Sequence, residues 1–226
     1  WSSFLGNVMI NRVNGVVYRN LNGISGIPKY VSYFLQVAYD AQLKRTLLHQ
    51  REIRDLIVLL EENDIKYAFL KGAVLNTIFY NPGERISNDT DIMVHINDID
   101  KMVELLKEIG YIQGRIRKGM LIPATKKEIL FARLNTYEIM PLIKPLNEGQ
   151  FPFHEVDINF RLSNDDDQEK ALELLNDTVV LKGGRFNIRT LSLEGFLLFL
   201  CIHHYREATM IFKIVKGDDI TLYKFM

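Results

Sequence analysis

Cysteine is nearly absent from this chain. Cys201 is the single one in 226 residues, so no internal disulfide can form, and neither an oxidising compartment nor a thiolate zinc cluster is indicated. An excess of one charge sign is missing too. Lys plus Arg and Asp plus Glu both number 28, and zero net charge argues against a protein that binds by neutralising phosphates along a nucleic acid. No apolar run approaches the ~20 residues that span a bilayer, and no signal-peptide pattern opens the chain. A cytoplasmic protein with neither nucleic acid nor membrane as partner is expected. Repeats and low-complexity tracts are lacking, and the chain starts at Trp1 rather than methionine, the expected mark of a trimmed piece. What is present is 47% hydrophobic and 25% charged residues, the makeup of a folded protein of one large or two small domains.

The first third reads as helical. Val13, Val16, Val17 and Leu21 recur at helical spacing, and Gly23, Gly26 and Pro28 punctuate the connection that follows. From Val31 to Leu60 a long apolar stripe, including Phe34, Leu35, Leu43, Leu47, Ile53 and Leu56, predicts one helix or a broken pair. Lys44, Arg45, Gln50, Arg51 and Glu62 form its solvated side.

The pattern then changes to short strands alternating with helices. Ile65 to Leu70 predicts a strand, Lys71-Gly72 a turn, and Ala73 to Phe79 a helix broken by Asn81, Pro82 and Gly83. A polar loop carries Arg85 and Ser87. Thr90 to Ile96 then alternates, with Ile92, Val94 and Ile96 on one face and Asp89, Asp91, Met93 and His95 on the other. Asp98 is positioned to cap a helix striped with Ile99, Met102, Val103 and Leu106, and Gly110 stands where a left-handed cap belongs. The basic segment Gly114 to Glu128 predicts a hairpin or mobile loop. Leu130 to Leu142 and Phe153 to Leu162 both read as strands, the latter with Val156, Ile158 and Phe160 opposite Glu155, Asp157, Asn159 and Arg161. Ser163 and Asp166 fit a capping box, and an apolar helix runs from Leu193 through His204.

Chemistry concentrates at Asp89-Thr90-Asp91. Residues two apart on a strand share a side, so two carboxylates stand a few ångströms apart and call for a cation. Magnesium prefers carboxylate oxygens and keeps positions open for substrate phosphates, which suits a nucleotide–metal complex. Three further features agree. Asp157 can supply a third carboxylate if its strand neighbours the first. Gly72 in a strand-to-helix turn lets the backbone approach a ligand, and the helix N-terminus and the Lys71 ammonium favour phosphate. Arg85 offers a guanidinium to a phosphate oxygen.

These residues resemble a known family. The stretch Tyr67-Ala-Phe-Leu-Lys-Gly-Ala-Val-Leu75, the stretch Tyr80-Asn-Pro-Gly-Glu-Arg-Ile-Ser-Asn-Asp-Thr-Asp-Ile-Met-Val94 and the helix ending in Gly110-Tyr111 look like the uncharacterised bacterial nucleotidyltransferase family of the polymerase-beta superfamily. The Asn11 to Leu21, Glu155 to Leu162 and Leu197 to His204 segments match its style, so the resemblance covers nearly the whole chain.

The resemblance implies an α+β fold, a small mixed sheet with helices packed on it, flanked by N-terminal and C-terminal helical segments. The corresponding division is a helical region over 1–62, the nucleotidyltransferase core over 63–163 and an incomplete C-terminal helical region over 164–226. It implies that Asp89, Asp91 and Asp157 bind two magnesium ions, or manganese, and the nucleoside triphosphate, ATP among the candidates. An acceptor would attack the alpha-phosphate, with Asp157 positioned to take its proton, and pyrophosphate would leave. Lys71, Gly72, Arg85 and Ser87 would bind the nucleotide. The acceptor is a small molecule or a protein. Two departures stand out. Lys71-Gly72 replaces the superfamily's Gly-Ser or Gly-Gly turn, and Asn159 stands where histidine is expected.

Two other readings compete. A catalytically silent nucleotide- or partner-binding module, similar to antitoxin-like members of the superfamily, would show no turnover, and an Asp-x-Asp glycosyltransferase would hold a nucleotide sugar. His203 and His204 diverge by about 100° on a helix, so they cannot easily share an ion, and His154 beside Glu155 lacks the second histidine of a zinc-protease helix. One packed and one half-exposed histidine are expected at 203 and 204, and no zinc site is expected at His154.

Overall fold

Apolar residues recur at helical spacing up to Leu60 and at every second position from Ile92 to Val94, and the chain adopts the matching conformations. The computed structural model describes residues 1–146, 148–149, 151–162 and 168–209. It opens with helices α1 (Ser2–Ile10), α2 (Asn14–Leu21) and α3 (Lys29–Glu62), the last a single unbroken helix of 34 residues. Strand β1 (Tyr67–Phe69), helix α4 (Lys71–Ile78), strand β2 (Thr90–Val94) and helix α5 (Ile99–Glu108) follow. Then come β3 (Ile112–Arg117), β4 (Met120–Pro123), α6 (Lys126–Asn135), β5 (Leu142–Pro145) and β6 (Phe153–Asn159). The remaining elements are α7 (Gln168–Asn176), β7 (Thr178–Lys182), β8 (Asn187–Leu191) and α8 (Leu193–Thr209).

The strands form one eight-stranded mixed sheet in the order β4-β3-β5-β6-β2-β1-β8-β7. Pairings β2–β6 and β1–β8 are parallel and the others antiparallel. Central strand β2 is buried along its whole length. Its neighbours β1 and β6 carry Phe69, Val156 and Ile158 into a core shared with Leu56 and Leu60 of α3, Met102 and Leu106 of α5, Leu175 of α7 and Phe199 of α8. Cutting one of these Leu, Ile, Met or Phe side chains to alanine costs about 2–5 kcal/mol by lost burial and cavity formation. A second, smaller cluster of Val8, Val31 and Leu35 joins α1 and α2 to the start of α3.

Several expectations change. Leu130 to Leu142 is not a strand: α6 occupies its first half, begun by a Thr125–Glu128 capping box in which each side chain bonds the other's backbone N–H. Residues 178–191, within the region assigned above to the C-terminal helical segment, form strands β7 and β8 and extend the sheet. Gln50 is buried rather than solvated, its Nε2 donating to the Asn76 carbonyl at 3.1 Å. Asp98 stands at the start of α5 but its side chain makes no capping bond. The basic segment is the β3–β4 hairpin as far as Pro123, closed by Lys118 and Gly119 at φ +51° and +75°, and its last residues, Lys126 to Glu128, begin α6. The Ser163–Asp166 capping box lies outside the described residues.

Candidate functional site

The parallel pairing of β2 with β6 sets Asp91 directly across from Asp157. Two residues before Asp91, Asp89 closes the loop that precedes β2. On the other side of β2, the antiparallel strand β1 ends at Phe69 and the chain turns through Leu70 into α4, the Leu70 N–H donating to the Asp91 carbonyl at 2.9 Å. Lys71 begins α4 with a left-handed backbone, φ +44°. A non-glycine residue held there stores strain of the kind found at functional turns. All seven residues singled out in the sequence, Lys71, Gly72, Arg85, Ser87, Asp89, Asp91 and Asp157, line one cavity of about 520 Å³.

Gly72 is required by close approach. A Cβ added to it would come within 2.2 Å of Ser87 Oγ and 3.2 Å of an Arg85 guanidinium nitrogen. The loop carrying Arg85 and Ser87 therefore lies directly on the first turn of α4. That loop is anchored from the N-terminal helices. Gly15 packs on the Gly83 and Glu84 backbone, where a Cβ would lie 2.1 Å from the Gly83 oxygen. Arg19 pairs with Glu84. From α3, Gln42 Nε2 donates to the Arg85 carbonyl at 3.3 Å and Tyr39 Oη to the Pro82 carbonyl at 3.1 Å.

Electrostatics in the cavity are unbalanced toward acid. Lys71 Nζ donates to Asp91 Oδ1 at 2.6 Å. Burial lowers the lysine's proton affinity, but Asp91, Asp89 and Asp157 outweigh it, and the ammonium is held above its ordinary range. Burial raises the Asp91 carboxyl, with Asp89 adding to the shift and Lys71 and an Asn159 hydrogen bond opposing it. Asp157 is raised well above the carboxylate range by burial and then by Asp91, Glu138 and Asp89. Its Oδ1 is sealed from solvent and has no hydrogen-bond partner.

Sequence reasoning missed Glu138, which faces the same cavity and is pushed up to about 7 by burial, with Asp91 adding and Lys71 opposing. It also missed the far wall: Tyr137 and the α8 residues Leu197, Leu200, Cys201, His203 and His204. The apolar α8 sequence was visible, but nothing local aims that helix at the carboxylates. His203 stacks parallel to Phe199 at 6.4 Å between ring centroids. Behind β2, His154 is fully buried, between Thr90 Oγ1 at 2.9 Å from Nε2 and Tyr111 Oη at 2.7 Å from Nδ1. It is a core histidine.

The donor chemistry suits a hard cation. Carboxylate oxygens dominate, and the partnerless Asp157 Oδ1 is an acceptor that a divalent ion would satisfy. Among the described residues no group of three or more His, Cys, Asp or Glu side chains is placed to hold a metal ion by itself. An ion bound here keeps waters or phosphate oxygens in its shell, as magnesium does. Also among the described residues, no helix is long and apolar enough to cross a membrane.

Comparison with known proteins gives one extensive match. The profile of a family described as an uncharacterised nucleotidyltransferase matches residues 1–223. No curated protein matches. Among solved structures, an antigenic nucleotidyltransferase-like protein from Paracoccidioides brasiliensis is similar at 16% identity and a TM-score of 0.40, over 77% of this chain and 74% of that one.

Proposed function

The chain belongs to the uncharacterised nucleotidyltransferase family, and on that premise we propose that it transfers a nucleoside monophosphate from a triphosphate to a small-molecule or protein acceptor, with magnesium. The observation that carries this reading is the Asp91–Asp157 rung of the β2–β6 pair, with Asp89 beside it and a phosphate-suited turn at the same cavity. Asp89, Asp91 and Asp157 are the residues that would hold magnesium. When bound, it would polarise the phosphoryl oxygens and offset their charge.

This chain's own residues account for the rest. The N-terminus of α4 presents unpaired backbone N–H groups and the positive end of its dipole to the triphosphate. Arg85 and Lys71 add cationic donors, and Gly72 lets the loop carrying Arg85 and Ser87 close onto the first helical turn, which brings the Arg85 guanidinium to the same place. An acceptor hydroxyl oxygen forms the new bond to the alpha-phosphorus, the bond from that phosphorus to the bridging oxygen breaks, and pyrophosphate leaves. Asp157 takes the hydroxyl proton. The wall of Tyr137, Leu197 and Leu200 supplies an apolar surface for the remainder of the nucleotide or the acceptor.

Calorimetric titration of each nucleoside triphosphate with magnesium tests this. The parent chain binds at least one of them in a metal-dependent way, and the Asp89→Asn, Asp91→Asn double variant does not. A well-folded parent that binds no triphosphate under any of these conditions overturns the reading and leaves the silent module or a nucleotide-sugar enzyme.

A further inference from the structure

The two carboxylates that face each other across β2 and β6 are in opposite states. Asp91 is satisfied by the protein itself. Lys71 Nζ sits on its Oδ1 at 2.6 Å, and its side chain is only 2% exposed. Asp157, one strand over at the same level, has an oxygen sealed from water with nothing to accept from. Asp89, which lines the same cavity, is only partly buried.

The lysine is also fixed in place twice through the same residue. Its side chain bonds the Asp91 carboxylate, and the turn that carries it is tied to the Asp91 carbonyl by the Leu70 N–H at 2.9 Å. Its left-handed backbone, φ +44°, narrows the directions in which the side chain can leave. A divalent ion bridging Asp91 would have to share a buried carboxylate with this ammonium, and like charges at such separation in a poorly screened interior repel strongly.

We propose that the Lys71 ammonium is a permanent cation of the site, seated on Asp91, and that the chain takes a single divalent ion per nucleotide, between Asp157 and Asp89, rather than the two that its family resemblance implies. This rests on the nucleotidyltransferase reading and revises one part of it, the assignment of Asp91 to magnesium, by dividing the acidic residues into two jobs. Asp157 and Asp89 hold the exchangeable ion. Asp91 is a positioning residue for Lys71, whose remaining N–H groups are left for phosphate oxygens. The same division explains why a lysine can stand in the turn where a serine hydroxyl would otherwise serve.

The test counts ions rather than turnover. Manganese and the α,β-methylene analogue of ATP are added to the full chain, bound manganese per bound nucleotide is measured by equilibrium dialysis, and its spectrum is recorded by electron paramagnetic resonance. The expected result is one ion per nucleotide in the parent, with the six-line signal of an isolated ion. Lys71→Met empties Asp91 of its ammonium and raises the count to two, with the spectral broadening of two coupled ions, whereas Lys71→Arg keeps it at one. Asp157→Asn lowers the parent's manganese affinity at least tenfold.

Two coupled ions in the parent overturn the proposal while leaving the transferase reading intact. So does an Asp157→Asn chain that binds manganese as the parent does. Should Lys71→Met not fold, as judged by circular dichroism, the parent count and the Asp157→Asn affinity still decide. A folded parent that binds neither nucleotide nor manganese overturns the transferase reading, and this inference with it.

Discussion

On the solvent side of α5 and α6, Asp100 lies beside Arg133, and Glu128 beside Arg115 and the backbone of Thr125. Hydrogen bonding holds both carboxyls below the ordinary range, from Arg133 in the first case and from Thr125 in the second. At the centre of the sheet, Asp91 and Asp157 are raised instead, chiefly by burial, and Glu138 with them. The outer carboxylates each have a partner and abundant water. The inner ones, Asp89, Asp91, Asp157 and Glu138, line one cavity that holds two fixed cations, Lys71 and Arg85. Folding gains from the first arrangement and is opposed by the second, so the inner acids fit a role in binding a cation rather than in stability.

Removing the least satisfied inner carboxylate should have the largest effect. Asp157→Asn is expected to weaken metal-dependent nucleotide binding about tenfold to a hundredfold while raising the melting temperature, because a buried carboxyl whose proton affinity is raised no longer opposes folding at neutral pH. Calorimetry and thermal unfolding on the same sample check both halves. A lower melting temperature together with unchanged binding would place Asp157 among the structural acids.

Buried histidines sharpen the comparison through pH. His49 and His154 touch edge to face at 5.1 Å, and burial holds each to about 3, with His154 adding to the shift of His49 and Lys144 to that of His154. The unfolded chain takes up these protons near pH 6.5 and the folded chain does not until about pH 3. Their contribution to stability is therefore intact above pH 6.5 and is lost as pH falls from there toward 3. His49→Gln should flatten the dependence by about 1.4 kcal/mol per pH unit, roughly 2 kcal/mol at pH 5. Denaturant unfolding of both chains at pH 7, 6 and 5 reads the difference in slope, and parallel slopes would contradict it.

The smallest effect belongs to the outer set. Arg133→Ala removes the partner of Asp100, whose side chain is 71% exposed, and should cost less than about 1 kcal/mol, with the difference vanishing in 1 M salt. A cost that persists in high salt would mean that Arg133 acts through packing.

Much of the site was legible because it is local. Asp89 and Asp91 share a strand, and Lys71 and Gly72 form one turn, so spacing alone put each pair together. Gly110 was legible for the same reason: its φ of +94° is a requirement a single residue meets. The α6 helix was misread because Leu130, Phe131 and Leu134 remain exposed, which scrambles the helical stripe. The signal that would have found it was the Thr125–Glu128 capping box, four residues that declare a helix start whatever follows. Gln50 was misplaced because a glutamine reads as solvated until its partner, the carbonyl of Asn76, is known.

Sequence by itself determined which residues can carry the chemistry and which neighbours along the chain act together, because side-chain period and turn geometry are set within a few positions. Only the tertiary structure decided that Asp157 stands opposite Asp91, that Glu138 and α8 complete the cavity, and that the ammonium of Lys71 is seated on Asp91. Those outcomes depend on strand order and on burial. Both arise from packing segments far apart in the chain, and burial is what leaves one carboxylate satisfied and its neighbour without a partner.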